Sequence, residues 1–190
     1  LIFGLGFGIE RVYTLFRASV DTKKFMDSVR TALHDEGHES ALEICSTTRG
    51  PVAEVFHAGL SRSHRGLEAV EKSIENAGTI EMAFLEKNMV WLSTVVTLAP
   101  MLGFTGTVAG MIQAFDDIKA ANDISPAVVA GGISIALLTT LFGLVVAIII
   151  QTFQNFLITR VDKLIIDMEE NSVMLIDELV ELDSEGKLKK

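Results

Sequence analysis

What this chain lacks most plainly is charge over two long stretches. Residues 88–115 and 124–159 contain no Asp, Glu, Lys, Arg or His, although charged residues make up 22% of the 190-residue chain. Each run exceeds the roughly 20 apolar residues that cross a bilayer. The sequence also has one cysteine, Cys45, so an internal disulfide is excluded. There is no strand-like alternation and no basic cluster. A sheet fold and a nucleic-acid-binding face are therefore both excluded, and the net charge of -9 agrees. No nucleophile, base and orienting acid can be assembled within the uncharged runs, which excludes an enzyme of the membrane interior. The glycines of "GFTGTVAG" are followed by no lysine and preceded by no strand, so they form no phosphate loop.

What is present reads as an all-helical membrane protein. The opening "LIFGLGFGIER" is apolar for only nine residues. Residues 1–16 are read as the end of a first span whose start lies before Leu1. A signal peptide is the alternative, but a basic leading region and a small-residue cleavage site are both missing. Arg11 lies at the end of this segment and Arg17, Lys23 and Lys24 follow it, Lys87 precedes the second run, and Arg160 and Lys163 follow the third. The intervening "DDIKAAND" holds three Asp and one Lys. The positive-inside rule then places the N-terminus outside, a helical domain at 17–87 in the cytoplasm and a short outer loop at 116–123. Spans are expected at 88–115 and 124–159, with a cytoplasmic C-terminal helix and tail at 160–190.

The cytoplasmic part reads as helices punctuated by glycine. Phe25, Met26, Val29 and Leu33 share one face before Gly37, and "RGPV" at 49–52 breaks the pattern. Leu67, Val70, Ile74, Ala77 and Phe84 then keep helical spacing toward the second span, which predicts one helix over 64–115. The third run, at 1.5 Å per residue, would reach about 54 Å, so it must project beyond a hydrocarbon core of about 30 Å. Val161, Ile165, Met168, Ser172, Leu175, Leu179 and Leu182 continue it as a coiled-coil-like seam, which either packs on its own subunit or joins subunits.

On a helical wheel the two complete spans share one pattern. Ala99, Gly103, Gly106, Thr107, Gly110 and Ala114 match Gly132, Ala136, Thr139, Thr140, Gly143 and Ala147 offset for offset. Each set falls within an arc of about 100°. Small residues permit close helix packing in lipid, and that is the structural reading of the glycines and alanines. Thr107 and Thr140 occupy the same edge of their stripes and either line a polar passage or bond their own backbone. Pro100 kinks its helix or leaves a carbonyl for the bundle to satisfy. A proton path through a membrane uses ionisable side chains, and neither complete span has one. In any ion translocation, the charge-carrying group must therefore come from another polypeptide or from held water. His34 and His38 have the i, i+4 spacing of a helical metal pair. Gly37 falls between them and no third ligand has sensible spacing, so neither a metal nor any other cofactor is expected.

"APMLGFTGTVAGMIQAF" followed by "GGISIALLTTLFGLVVAIIIQTFQNF" resembles the MotA/TolQ/ExbB family of ion-driven inner-membrane motors, nearest its ExbB and TolQ branch. The resemblance implies a homopentamer in the bacterial inner membrane, enclosing the single spans of two ExbD-like or TolR-like partners that each carry a membrane aspartate. It implies proton motive force driving a TonB-like or other periplasmic effector. Family pore threonines map onto Thr107 and Thr140, with Thr139 and Ser134 as weaker candidates. Two positions depart from the family pattern: Ile135 stands where ExbB-like members carry glutamate, and Ile149 where a proline is usual. A partner-borne aspartate is then the simpler carrier. A sodium-driven MotA-like stator and a non-conducting scaffold for a partner helix are the alternatives.

Overall fold

The computed structural model describes residues 1–18, 21–121 and 126–184, and these are helical apart from short turns. The elements are α1 (Ile2–Ala18), α2 (Thr22–Asp35), α3 (His38–Thr47), α4 (Pro51–Leu60), a short 3-10 turn (Ser63–Arg65), α5 (Leu67–Glu86), α6 (Met89–Ala121) and α7 (Pro126–Ser184). Two compact units emerge: residues 1–10 with 88–157, and residues 11–87 with 158–190.

The second unit is a helical body built where periodicity and punctuation agree. Asp21 caps α2, its carboxylate accepting the Lys24 backbone N–H at 3.4 Å. Gly50, at φ 128°, reverses the chain, and Pro51 opens α4 at a position where no backbone N–H is needed. Phe25, Val29 and Leu33 of α2 pack with Val55, Phe56 and Leu60 of α4 and with Val70 and Ile74 of α5. Gly59 lets α4 and α5 close up, since a Cβ there would lie 2.6 Å from Ile74 Cγ1. Met168, Leu175, Leu179 and Leu182 of α7 enter the same core. The seam is therefore packed on its own chain. Its polar member, Ser172, is buried and donates to the Met168 carbonyl at 2.7 Å.

Among the described residues of this body, one carboxylate is buried. Glu178 of α7 is 7% exposed, receives Arg30 Nε at 3.0 Å and pairs through its other oxygen with His34 Nε2, both from α2. A buried carboxylate needs such partners, because desolvation would otherwise cost several kcal/mol. His38 faces elsewhere, with Nε2 2.8 Å from the Leu60 carbonyl oxygen and 2.7 Å from Ser63 Oγ. The two histidines thus serve separate contacts. Cys45 is buried, and burial pushes its thiol pKa up to about 12.

The structure corrects one feature expected from the sequence and adds detail to a second. The single helix over 64–115 is interrupted: α5 ends at Glu86 and α6 begins at Met89. Asn88 adopts φ 65°, a left-handed conformation that asparagine tolerates better than most side chains. Its amide donates to Glu10 Oε2 at 3.3 Å, and Arg11 Nη1 donates at 3.2 Å to the carbonyl of Phe84 in the last turn of α5. Phe84 itself is exposed and Leu85 is buried, so the apolar face shifts by one residue just before the break. The outer loop expected at 116–123 starts as helix, because α6 runs on through Ala121; the rest of that stretch lies outside the described residues. Charge is expelled from hydrocarbon, not from helices, and Gln113 bonds Asp117 at 2.8 Å across one turn.

Burial first, and next the charge of Glu54 on α4, hold the Glu81 carboxyl of α5 above the ordinary carboxylate range. The folded protein therefore keeps the Glu81 proton to higher pH than the unfolded chain, and stability falls as pH rises through the raised value. Glu81→Gln should raise the thermal midpoint of the detergent-solubilised protein at neutral pH. That advantage should shrink to nothing as the pH drops below the ordinary carboxylate range.

Candidate functional site

Two segments, Leu67–Ala120 and Val129–Ser184, contain windows long and apolar enough to cross a membrane, and only 6% and 17% of those windows is buried. The core helix of a soluble domain would be covered. These helices present Leu102, Phe104, Phe142 and Ile148 outward instead. What they hide is small. A Cβ added at Gly132 would lie 2.4 Å from the Ala114 Cβ, at Gly110 2.9 Å from the Ala136 Cβ, and at Gly106 2.6 Å from Thr139 Oγ1. At Gly103 it would lie 3.1 Å from the Thr140 Cα, and at Gly143 2.6 Å from the Ala99 carbonyl oxygen. As the partner numbers rise on α6 they fall on α7, so the helices run antiparallel with the two stripes face to face. Removing side chains lets the backbones approach, and dispersion and polar contacts then replace the hydrophobic drive that lipid cannot supply.

The threonines use that approach. Thr107 and Thr140 Oγ1 atoms are hydrogen-bonded to each other. Thr140 Oγ1 also lies 3.1 Å from the Gly103 carbonyl oxygen, and Thr107 Oγ1 lies 3.2 Å from that of Ala136 and 3.3 Å from that of Gly103. Each hydroxyl has one proton. A chain from Thr107 to Thr140 to the Gly103 carbonyl uses each proton once and leaves only lone pairs to offer elsewhere. Neither hydroxyl titrates near neutral pH, so this pair is a polar edge and not a proton carrier.

The other candidate residues separate around this pair. Thr139 lies on the opposite edge, against Gly106, donating to the Ala136 carbonyl at 2.7 Å. Ser134 and Ile135 are both exposed. α6 continues through Pro100. Residues 1–10 pack on one flank of the hairpin: a Cβ at Gly4 would lie 2.9 Å from Ile150 Cδ1 and 3.3 Å from Val95 Cγ1, and one at Gly8 would overlap the Phe153 ring. Phe7 stacks on Trp91 with ring centroids 6.1 Å apart. The sequence reading passed over Gln151, whose Nε2 donates to Asn155 Oδ1 at 2.8 Å. Two amides at i, i+4 near the end of an uncharged run were the available signal.

The architecture is that of a helical membrane protein with a tight glycine-threonine hairpin and no titratable group on its two uncharged runs. Residues 47–170 match the sequence model of the MotA/TolQ/ExbB proton channel family, and the chain belongs to that family. It is 31% identical over 162 residues to a putative biopolymer transport protein ExbB homolog of Methanothermobacter thermautotrophicus, covering 85% of this chain and 57% of that one. It is 38% identical over 96 residues to the biopolymer transport protein ExbB of Xanthomonas campestris, covering 50% of this chain and 38% of the relative. It is 37% identical over 82 residues to the Tol-Pal system protein TolQ of Haemophilus influenzae, covering 43% and 36%. The chain thus spans about half or less of the length of these relatives.

A Cβ at Gly143 meets a backbone oxygen that cannot move aside, whereas one at Gly131 meets nothing within 4 Å. Gly143→Ala should therefore cost about 1–3 kcal/mol, the usual range for overpacking. Gly131→Ala should be neutral or slightly favourable. Thermal melts of the two variants, followed by helical circular dichroism in detergent, measure the difference.

Proposed function

We propose that the chain is a ring subunit of an inner-membrane motor that couples proton flow to work on a periplasmic effector. The observation that carries this reading is the hydroxyl edge formed by Thr107 and Thr140 in spans with no ionisable side chain. Such an edge holds water and offers oxygen lone pairs, but it needs a carboxylate from outside to carry charge. That carboxylate would be a membrane aspartate on each of two ExbD-like or TolR-like single-span partners, enclosed by five copies of this chain. The ring would have three spans per subunit, the first ending near residue 16, with the N-terminus in the periplasm and the C-terminus in the cytoplasm. The basic residues that follow the first and third spans, against the acidic segment between the second and third, support this orientation. Ile135, apolar and exposed, supports a carrier borne only by the partner. The biopolymer-transport and Tol-Pal roles in the relatives' names point to a TonB-like effector or one acting at the envelope.

The test is co-reconstitution with an ExbD-like partner in liposomes, with proton and sodium uptake measured under an imposed membrane potential. The expected result is partner-dependent proton uptake that falls at least tenfold in the Thr107→Val, Thr140→Val double variant while the ring still assembles. Uptake that is absent with the partner, or unchanged in the double variant, would remove the passage from this hairpin and leave a scaffold. Uptake of sodium alone would reassign the coupling ion.

A further inference from the structure

The hairpin has two flanks, and they are unlike. Taking Thr140 as zero on α7 and 100° per residue, Ile150 and Phe153 fall at about -80° and -140°, while Gln151 and Asn155 fall at about +20° and +60°. Taking Thr107 as zero on α6, Val95 and Trp91 fall at about -120° and -160°, while Ser93 and Thr97 fall at about +40° and +80°. In an antiparallel pair packed face to face, edges of the same sign lie on the same side. The negative flank is the one that residues 1–10 cover, through Gly4 against Ile150 and Val95, Gly8 against Phe153, and Phe7 against Trp91. The positive flank carries Thr107 and Thr140. Ser93, Thr97 and Asn155 on it are exposed, and Gln151 is half-buried.

The polar groups on this flank fall at two levels. The register that sets Ala99 against Gly143 and Ala114 against Gly132 brings Ser93 level with Gln151. This second level lies about 16 Å along α7 from Thr140, eleven residues at 1.5 Å each. Thr97 spends its hydroxyl proton on the Ser93 carbonyl at 3.0 Å, while Gln151 donates to Asn155 at 2.8 Å. Between the levels the flank is apolar, with Leu144 on α7 and Phe104 on α6, both exposed. Polar side chains within spans face a bundle interior or a water-filled cavity.

We propose that Gln151, with Ser93 at its level and Asn155 as its hydrogen-bond partner, forms an inner hydrated station of the same passage on its cytoplasmic side. Resting on the motor reading, it adds a residue that positions water between the cytoplasm and the Thr107 and Thr140 level. Gln151 does not itself take up the moving proton. Its amide positions the water whose oxygen lone pair does.

Two measurements on the full chain, assembled with an ExbD-like partner in proteoliposomes, test this. Single substitutions Ser93→Cys, Gln151→Cys and, as a control far from the polar flank, Ile149→Cys are exposed to a membrane-impermeant methanethiosulfonate applied from the cytoplasmic face. Cys45 can remain, since its buried, rarely ionised thiol reacts slowly. Reaction at 93 and 151 at least tenfold faster than at 149 is expected. Equal, slow reaction at all three would overturn the proposal by making this flank a dry contact. In the second measurement Gln151→Met, nearly isosteric and apolar, should lower proton uptake at least fivefold, with Gln151→Asn retaining more of it. Uptake unchanged by Gln151→Met would overturn the station while leaving the motor intact. Absent uptake in the unsubstituted complex would count against the motor, while the labelling pattern still reports whether the flank is wet.

Discussion

The approach of α6 to α7 is the constraint on which the membrane unit depends. A Cβ at Gly103 or Gly143 would press on backbone atoms of the facing helix, and at Gly110 and Gly132 on its alanines. That spacing brings the Thr140 hydroxyl within reach of the Gly103 carbonyl across the interface, and the Thr107 hydroxyl within reach of Thr140. Bulky side chains at the glycines would hold the helices several ångströms farther apart and dissolve the polar edge. The same glycines that look wasteful in a greasy span therefore act at one remove, by deciding which polar atoms meet.

The helical body is organised by different physics. There the hydrophobic effect acts, and the core of Phe56, Leu60, Val70, Leu175 and Leu179 is assembled from faces visible as three- and four-residue spacings. Glu178 is the one charge that α7 carries into this body's interior, and α2 supplies both of its partners. Removing either partner would leave a buried carboxylate less compensated, so this contact tolerates substitution less than the aliphatic ones around it.

The family relationship and the hairpin meet at one point. The chain belongs to a proton channel family yet has no ionisable side chain in its two uncharged runs, and in the motor reading proposed above the charge carrier is borrowed from a partner. The wall can then be built for shape and hydration alone. In that reading Ile135, exposed and apolar, carries no proton of its own.

Much of this was legible before any coordinates. Apolar runs, charge asymmetry and the repeated small-residue stripe depend on composition and on a 3.6-residue period, both local properties of the chain. They were enough for two candidate spans, for placing Thr107 and Thr140 on the same edge of their stripes and for the faces of α2 and α5. Local patterns do not say what a face meets. Only the tertiary structure decided that the two stripes pack on each other within one chain, that the seam of Leu175 and Leu179 closes on its own subunit, and that Thr139 meets Gly106. The break at Asn88 escaped the sequence for the same reason. Its left-handed backbone is supported by the contact with Glu10, and the end of α5 by Arg11, residues far away along the chain. Periodicity records which way a side chain points, and only the folded chain sets the atom waiting there.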